Sequence, residues 1–207
     1  MSSELIISVS GVRGIVGENL TAVTGAEYGC TFGTFLRRRF AGKKLRVCLG
    51  RDSRPSGVML KEAVTAGLNS CGVDVVDLGI VPTPSVGVML RRLGCDGGVV
   101  ITASHNPPQY NGIKLLLENG IAPPKDMAAR IRESFLARGF EPVGAMECGS
   151  VYSGSAAPMV CSRASRTIFS RLGLISRPTT LAGSSANSSL GGGTPSTSGT
   201  LATFTPW

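Results

Sequence analysis

Several patterns that would place the chain in other classes of protein are missing. None of its six cysteines forms a Cys-x-x-Cys pair, so a zinc site is not indicated. No apolar run approaches the ~20 residues that a membrane span requires. Glu4 interrupts the short apolar run at the N-terminus, where a secretory signal would be expected. We therefore expect buried free thiols in a reducing compartment, a cytoplasmic location and no membrane partner.

Acidic residues are absent from the last part of the chain. Every Asp and Glu lies at or before Glu147, and the formal net charge is +8. Such a charge suits either phosphorylated substrates or nucleic acid. The tight basic cluster Arg37-Arg38-Arg39 lies at the end of a predicted helix, where cations interact favourably with the helix dipole. Nucleic-acid binding is therefore not favoured.

Strand and helix patterns alternate up to about residue 140. The predicted strands are 5–9, 45–49, 73–78, 98–102 and 112–117. The predicted helices are one that begins at Thr21 or Thr24, followed by 57–70, 85–93 and 125–137. Helices between strands predict an α/β fold, a three-layer α/β/α sandwich with a mostly parallel mixed sheet, over residues 1–140.

Residues 141–207 differ in composition, because Ser, Thr, Gly and Pro dominate them. Such a segment buries too little apolar surface to offset its ordering entropy, so we predict a low-complexity, disordered tail. The sudden loss of acidic residues suggests a shifted reading frame or a truncated gene. The alternative is a genuine flexible extension.

Ser104 is the strongest candidate for a functional residue. It directly follows a predicted strand, and loops at the carboxyl ends of parallel strands form the ligand crevice of α/β sheets. Pro107-Pro108 prevents a helix from starting at once, so the hydroxyl is expected on a rigid, exposed loop. The alternative interpretation is an ordinary polar turn after a strand.

The chemistry around Ser104 favours phosphoryl transfer over hydrolysis. The one histidine of the chain, His105, is the next residue, and neighbouring side chains in an extended loop are expected to point apart. The Gly-x-Ser-x-Gly motif of many hydrolases is also missing. A phosphoserine instead needs cations around its oxygens. Lys114 is one candidate, and Arg13 is another, in a predicted glycine-flanked turn after the first strand.

Four segments, taken together, resemble the N-terminal domain of the α-D-phosphohexomutases, which include phosphoglucomutase, phosphomannomutase and phosphoglucosamine mutase. The segments are Ser10-Gly11-Val12-Arg13-Gly14, Gly50-Arg51-Asp52-Ser53-Arg54, Pro82-Thr83-Pro84, and Thr102-Ala103-Ser104-His105-Asn106-Pro107 continued by Asn111-Gly112-Ile113-Lys114. The last of these is the most specific. The match covers roughly residues 5 to 125.

The resemblance implies an isomerase that moves a phosphoryl group between C6 and C1 of a hexose or hexosamine phosphate. Ser104 would be the phosphoserine, and its phosphate would ligate Mg²⁺. Arg13 and Lys114 would contact the phosphoryl group as catalytic residues, and a hexose bisphosphate would be the activator. His105, Asn106 and Asn111 would shape the loop or bind phosphate. Arg51, Asp52 and Arg54 are expected to be structural.

The resemblance stops before the other parts of a complete mutase. The metal loop, sugar loop and phosphate loop of the family's later domains are not found, and the tail has no carboxylate for Mg²⁺. We therefore expect a truncated, poorly active fragment. The alternative is a non-catalytic α/β domain that binds a phosphosugar or a partner chain.

Overall fold

A seven-stranded sheet forms the centre of the protein, in a computed structural model that describes residues 4–154. The strands are β1 (Ile6–Ser8), β2 (Gly11–Ile15), β3 (Leu45–Arg51), β4 (Val73–Ile80), β5 (Gly97–Ile101), β6 (Tyr110–Leu117) and β7 (Val151–Ser153). The helices are α1 (Ala22–Arg39), α2 (Ser56–Ser70), α3 (Thr83–Leu93) and α4 (Lys125–Leu136), with a short 3₁₀ helix at Ala145–Glu147.

The strands lie in the order β1-β2-β6-β5-β3-β4-β7. The four strands from β5 to β7 in this order are parallel to one another, and β6 is antiparallel to both of its neighbours. Strand β2 therefore has the direction of the parallel group, and only β1 and β6 oppose it. The predicted mostly parallel mixed sheet is confirmed.

Helices cover both faces of the sheet, as predicted for a three-layer sandwich. Alternate side chains of a strand point to opposite faces, and neighbouring residues of β5 show this directly. Val99 packs into the larger core with Phe32 of α1 and Leu60 of α2, and α4 contributes to the same core. Val100 instead packs with Leu90 of α3 in the smaller core. The cores thus place α1, α2 and α4 on one face and α3 on the other.

The start of α1 uses both of the threonines that the sequence offered as alternatives. The Thr24 N–H donates to Thr21 Oγ1 at 3.2 Å, and the Thr21 N–H donates to Thr24 Oγ1 at 3.3 Å. These reciprocal bonds satisfy backbone donors that the first turn of a helix leaves without partners. Thr21 is the N-cap residue.

The segment around Arg13 is a strand, and the predicted glycine-flanked turn was wrong. Val12 and Gly14 are buried whereas Arg13 is exposed, the alternation of a strand with one covered face. Strand β2 pairs with β6 along its whole length, from Gly11 opposite Lys114 to Ile15 opposite Tyr110. This pairing partner lies about a hundred residues away, so the local glycine pattern did not reveal it.

The sheet also continues beyond residue 140, where the sequence indicated only low-complexity tail. Strand β7 pairs in parallel with β4, and the Ser150 N–H donates to the carboxylate of the buried Asp74 at 2.8 Å. The remainder of the predicted tail, residues 155–207, lies outside the described residues. Within residues 4–154, no helix combines the length and the apolarity that crossing a bilayer would require.

Candidate active site

Residues 102–109, called the serine loop below, connect β5 to β6 and present an exposed Ser104. Ser104 has a φ of 56°, which is the left-handed region that residues with a Cβ rarely adopt. Its N–H donates to Thr102 Oγ1 at 2.9 Å. The backbone N–H and the side-chain amide of Asn106 both donate to the Ala103 carbonyl, at 3.1 and 2.7 Å. The loop is therefore held by its own short-range hydrogen bonds.

Arg13 and Lys114 lie on the same face of the sheet, next to the serine loop. Gly11 of β2 is opposite Lys114 of β6, and Arg13 is opposite Gly112. The two cations are therefore diagonal neighbours, each with a glycine directly across from it. A Cβ at position 11 would lie 2.0 Å from the Ile113 carbonyl oxygen, and one at position 112 would lie 2.8 Å from that of Val12. Both positions therefore require glycine, because the two strand backbones approach each other closely there.

A single cavity of about 250 Å³ brings Ser104, Arg13 and Lys114 together. Its other polar lining residues are Ser8, Ser10 and Thr102, and none of its lining residues carries a carboxylate. Within residues 4–154, neither Arg13 nor Lys114 has an ion pair or a side-chain hydrogen bond. Two cations without counter-ions beside a hydroxyl form a site suited to an anion with several oxygens, such as a phosphoryl group.

His105 lies closer to Ser104 than expected. The Ser104 Oγ and the His105 Nδ1 are 3.3 Å apart, so the expectation that the two side chains point apart was wrong. The expectation assumed extended backbone, whereas the left-handed Ser104 turns the chain. In the part of the chain that the structure describes, no carboxylate is hydrogen-bonded to His105. The third member of a hydrolase triad is therefore not supplied there.

Asn111 lies outside the cavity and is completely buried. Its side-chain amide donates to Ser56 Oγ at 2.9 Å, and its side-chain oxygen accepts the Gly112 N–H at 2.8 Å. These bonds connect the start of β6 to the first residue of α2. Asn111 and Asn106 therefore have structural contacts in the protein, and neither lines the cavity that holds the two cations.

Arg54, which the sequence placed outside catalysis, is the most heavily bonded side chain of the site. Its Nη1 donates to two backbone carbonyls and its Nη2 to two more, whereas its Nε donates to Asp52. The four carbonyls and their distances are Pro107 at 2.9 Å, Tyr110 at 3.1 Å, Ser104 at 3.0 Å and Asn106 at 2.6 Å. In the sequence, Arg54 drew attention only as part of the segment Gly50–Arg54. That segment does not indicate that the side chain contacts the serine loop.

The described residues do not by themselves form a magnesium site at Ser104. No group of three or more His, Cys, Asp or Glu side chains suited to a metal occurs within residues 4–154. Asp52 follows β3 beside the serine loop, but both of its carboxylate oxygens accept hydrogen bonds from Arg54. The phosphate of a phosphorylated Ser104 would be a single ligand, and Mg²⁺ takes six oxygens.

Comparison with known families gives one match over most of the described chain. Residues 5–141 match the family model described as phosphoglucomutase/phosphomannomutase, alpha/beta/alpha domain I. The serine loop, β2 and β6 all lie inside this match.

Named relatives and a solved structure agree with the family match. A phosphoglucomutase/phosphomannomutase of Thermococcus kodakarensis is 46% identical over 141 residues, which are 68% of this chain and 31% of that protein. A phosphoglucosamine mutase of Alkaliphilus oremlandii is 40% identical over 63% of this chain and 29% of its own length. The crystal structure of a phosphoglucomutase/phosphomannomutase family protein from Burkholderia thailandensis superimposes with a TM-score of 0.59 at 32% identity, covering 72% of this chain and 33% of that one. The chain thus spans about a third of the length of these relatives.

Proposed function

Because the chain belongs to the phosphoglucomutase/phosphomannomutase family, we propose that it supplies the phosphoserine of an isomerase that moves a phosphoryl group between C6 and C1 of a hexose or hexosamine phosphate. The observation that carries the proposal is the cavity that Ser104 shares with Arg13 and Lys114. It joins a hydroxyl that can carry phosphate to two cations with no carboxylate between them.

The reaction begins with Ser104 phosphorylated. A hydroxyl of the hexose phosphate attacks the phosphorus, the bond from phosphorus to Ser104 Oγ breaks, and the proton of the attacking hydroxyl passes to the serine oxygen. The product is a hexose bisphosphate, which then turns and returns its other phosphoryl group to Ser104. In that second step Ser104 loses its proton, and the leaving sugar oxygen gains one.

Each neighbouring side chain has a distinct part in these steps. Arg13 and Lys114 bind the phosphoryl oxygens and stabilise the charge that spreads over them in the transition state. His105 Nδ1 accepts the proton of Ser104 when the serine attacks, which its distance of 3.3 Å from Oγ supports. A free hexose bisphosphate acts as activator because it can phosphorylate Ser104.

The metal and the whole reaction depend on more than the described residues. Mg²⁺, when bound, would neutralise phosphoryl charge, with the phosphate of Ser104 as one ligand. Since residues 4–154 do not complete that site, an alternative is that this domain binds a phosphosugar without turning it over.

A chimera decides between the proposals. Residues 1–141 of this chain would replace the matching third of the Thermococcus kodakarensis relative, which supplies the rest of a mutase. We expect the chimera to convert a hexose 1-phosphate to the 6-phosphate and to acquire one phosphoryl group on Ser104, detected by peptide mass spectrometry. Ser104→Ala should abolish both results, because it removes the hydroxyl that carries the phosphoryl group.

Ser53→Ala is the matched control, because Ser53 is exposed on the neighbouring loop and has no assigned part. It should leave turnover and phosphorylation unchanged. Turnover that survives Ser104→Ala would contradict the phosphoserine proposal. A chimera that binds hexose phosphate but neither reacts nor becomes phosphorylated would support the binding-only alternative.

A further inference from the structure

We propose that Arg54 is a positioning residue that holds Ser104 in its left-handed conformation and so aims the hydroxyl at the phosphoryl site. This inference extends the proposed function and rests on it, because the hydroxyl of Ser104 needs to be positioned only if it carries the phosphoryl group. Arg54 itself belongs to the loop after β3, yet its guanidinium is bonded to residues that lie 50 to 56 positions further along the chain.

The guanidinium of Arg54 has no hydrogen-bond donor left for a substrate. An arginine side chain carries five N–H groups in a planar fork. The bonds described above use all five, one on Asp52 and four on backbone carbonyls. With a side chain that is only 16% exposed, Arg54 is committed to the serine loop and is not a third phosphate-binding cation.

The contact of Arg54 with Ser104 acts on the backbone conformation of that serine. The carbonyl of Ser104 accepts from Arg54 Nη2, its N–H donates to Thr102 Oγ1, and Ser104 lines the cavity together with Arg13 and Lys114. Both backbone groups of this one residue are therefore fixed while φ is 56°. A strained residue persists only where its surroundings over-determine it, and here Arg54 supplies the contact from outside the loop.

Asp52 orients Arg54 in turn. Its Oδ1 accepts the backbone N–H of Arg54 at 3.0 Å, and its Oδ2 accepts from Nε at 3.2 Å. The backbone N–H of Asp52 donates to the Ile101 carbonyl at 3.0 Å, which connects the end of β3 to the end of β5. The serine loop is thus anchored through Arg54 and Asp52 to two parallel strands of the sheet.

The shape of the donor group predicts which substitutions fail. Lysine has three donors on a tetrahedral nitrogen, so it cannot reach four carbonyls and a carboxylate at once. A small soluble guanidinium ion can occupy the space that Arg54→Ala opens, whereas an alkylammonium ion of similar size lacks the planar fork. If Arg54 contributed only to the general stability of the fold, the guanidinium ion and the alkylammonium ion would have equal effects on the variant.

The direct test is amide hydrogen exchange on the full-length chain, followed by NMR. The reporters are the bonded amides of Ser104, Asn106 and Tyr110. In Arg54→Ala they should exchange about tenfold faster or more, since each lost bond to a charged donor is worth more than a neutral one. Millimolar ethylguanidinium should restore slow exchange, and ethylammonium should not. Arg54→Lys should behave like Arg54→Ala and serves in its place if that variant does not fold.

Arg91→Ala is the matched control, because Arg91 also donates to a backbone carbonyl, that of Asn119, far from the serine loop. It should leave the three reporters unchanged. Unchanged exchange in Arg54→Ala, equal rescue by the two ions, or a loss of protection spread evenly over β3 and β5 would overturn the proposal.

In the chimera, Arg54→Ala should slow phosphorylation of Ser104, and ethylguanidinium should restore it. If the chimera with an unchanged Arg54 is not phosphorylated, that result counts against the proposed function. It does not count against the role of Arg54, because hydrogen exchange tests that role separately.

Discussion

At the scale of single residues, the site concentrates its strain at Ser104. A left-handed conformation costs a residue with a Cβ on the order of 1 kcal/mol, and glycine avoids that cost. Ser104 nevertheless keeps this conformation, lines the cavity, and has its hydroxyl 3.3 Å from His105 Nδ1. Catalysis as proposed needs the hydroxyl, so the position cannot become glycine without losing its chemistry.

A comparison of two substitutions at position 104 measures this strain. Ser104→Gly and Ser104→Ala both remove the hydroxyl, but only glycine relieves the left-handed backbone. We expect the glycine variant to be the more stable by about 1 kcal/mol in urea unfolding. Ala129→Gly, at an exposed position of α4, is the control and should lower stability by about 1 kcal/mol, because there the backbone is helical. Equal stability of the two variants at position 104 would show that the backbone there is unstrained.

At the scale of elements, an ion pair connects α2 to β4. Lys61 Nζ donates to Asp77 Oδ2 at 2.6 Å, and both side chains are largely shielded, at 20% and 22% exposed. Asp77 Oδ1 also accepts the Gly79 N–H at 2.8 Å, at the bend that ends the regular part of β4. The hydrogen bond that Lys61 donates to the Asp77 carboxylate raises the pKa of Lys61 above its ordinary value, more than burial lowers it.

The raised pKa of Lys61 gives stability a dependence on alkaline pH. Because the folded pKa is above the unfolded one, the stabilisation is fully present below the unfolded value of about 10.4 and is lost as the pH rises through the folded value. Lys61→Met should therefore lower the unfolding free energy by about 1 kcal/mol at pH 7 and by less at pH 11. The test measures thermal unfolding of the parent protein and of Lys61→Met at both pH values. Titrating groups that the two proteins share contribute equally and cancel in the difference. The same difference at both pH values would contradict this assignment.

The elements that the sequence predicted well are those whose pattern is local. Helices α2 and α4 show apolar periodicity of their own, and β5 is an apolar run that is buried throughout. Strand β2 was missed because its two glycines indicated a turn, and β7 because it has only three residues; each depends on a partner distant in the chain. The same reason explains the site. Ser104, Arg13 and Lys114 belong to recognisable segments, whereas the contact of Arg54 joins two loops that no local pattern relates.

At the scale of the whole molecule, residues 141–154 complete the sheet and cover one end of it. The Val143 N–H donates to the Ser70 carbonyl and the Gly149 N–H to that of Asn69, both at 2.8 Å. Just before β7 begins, the Ser150 N–H donates to the Asp74 carboxylate and the Ser150 carbonyl accepts the Val75 N–H, both at 2.8 Å. The described fold therefore extends past the boundary at residue 140 that composition suggested.

Two shortened chains show how much this segment contributes. A chain that ends at residue 140 should be less stable than one that ends at residue 154, by on the order of 3 kcal/mol, because several hydrogen bonds are lost and the buried Asp74 keeps no backbone donor. Circular dichroism during heating measures the two midpoints. Equal midpoints would mean that residues 141–154 only lie against a sheet that is complete without them.

The bonds of Arg54 have a consequence for how the serine loop can change over evolution or in the laboratory. All four of its carbonyl partners belong to the backbone, which every residue type possesses. The exposed side chain of Gln109, which has no part in the proposed reaction, is therefore free to vary without altering what Arg54 holds. A library of substitutions at position 109 could change the selectivity of the loop while Ser104 and His105 stay where the chemistry needs them.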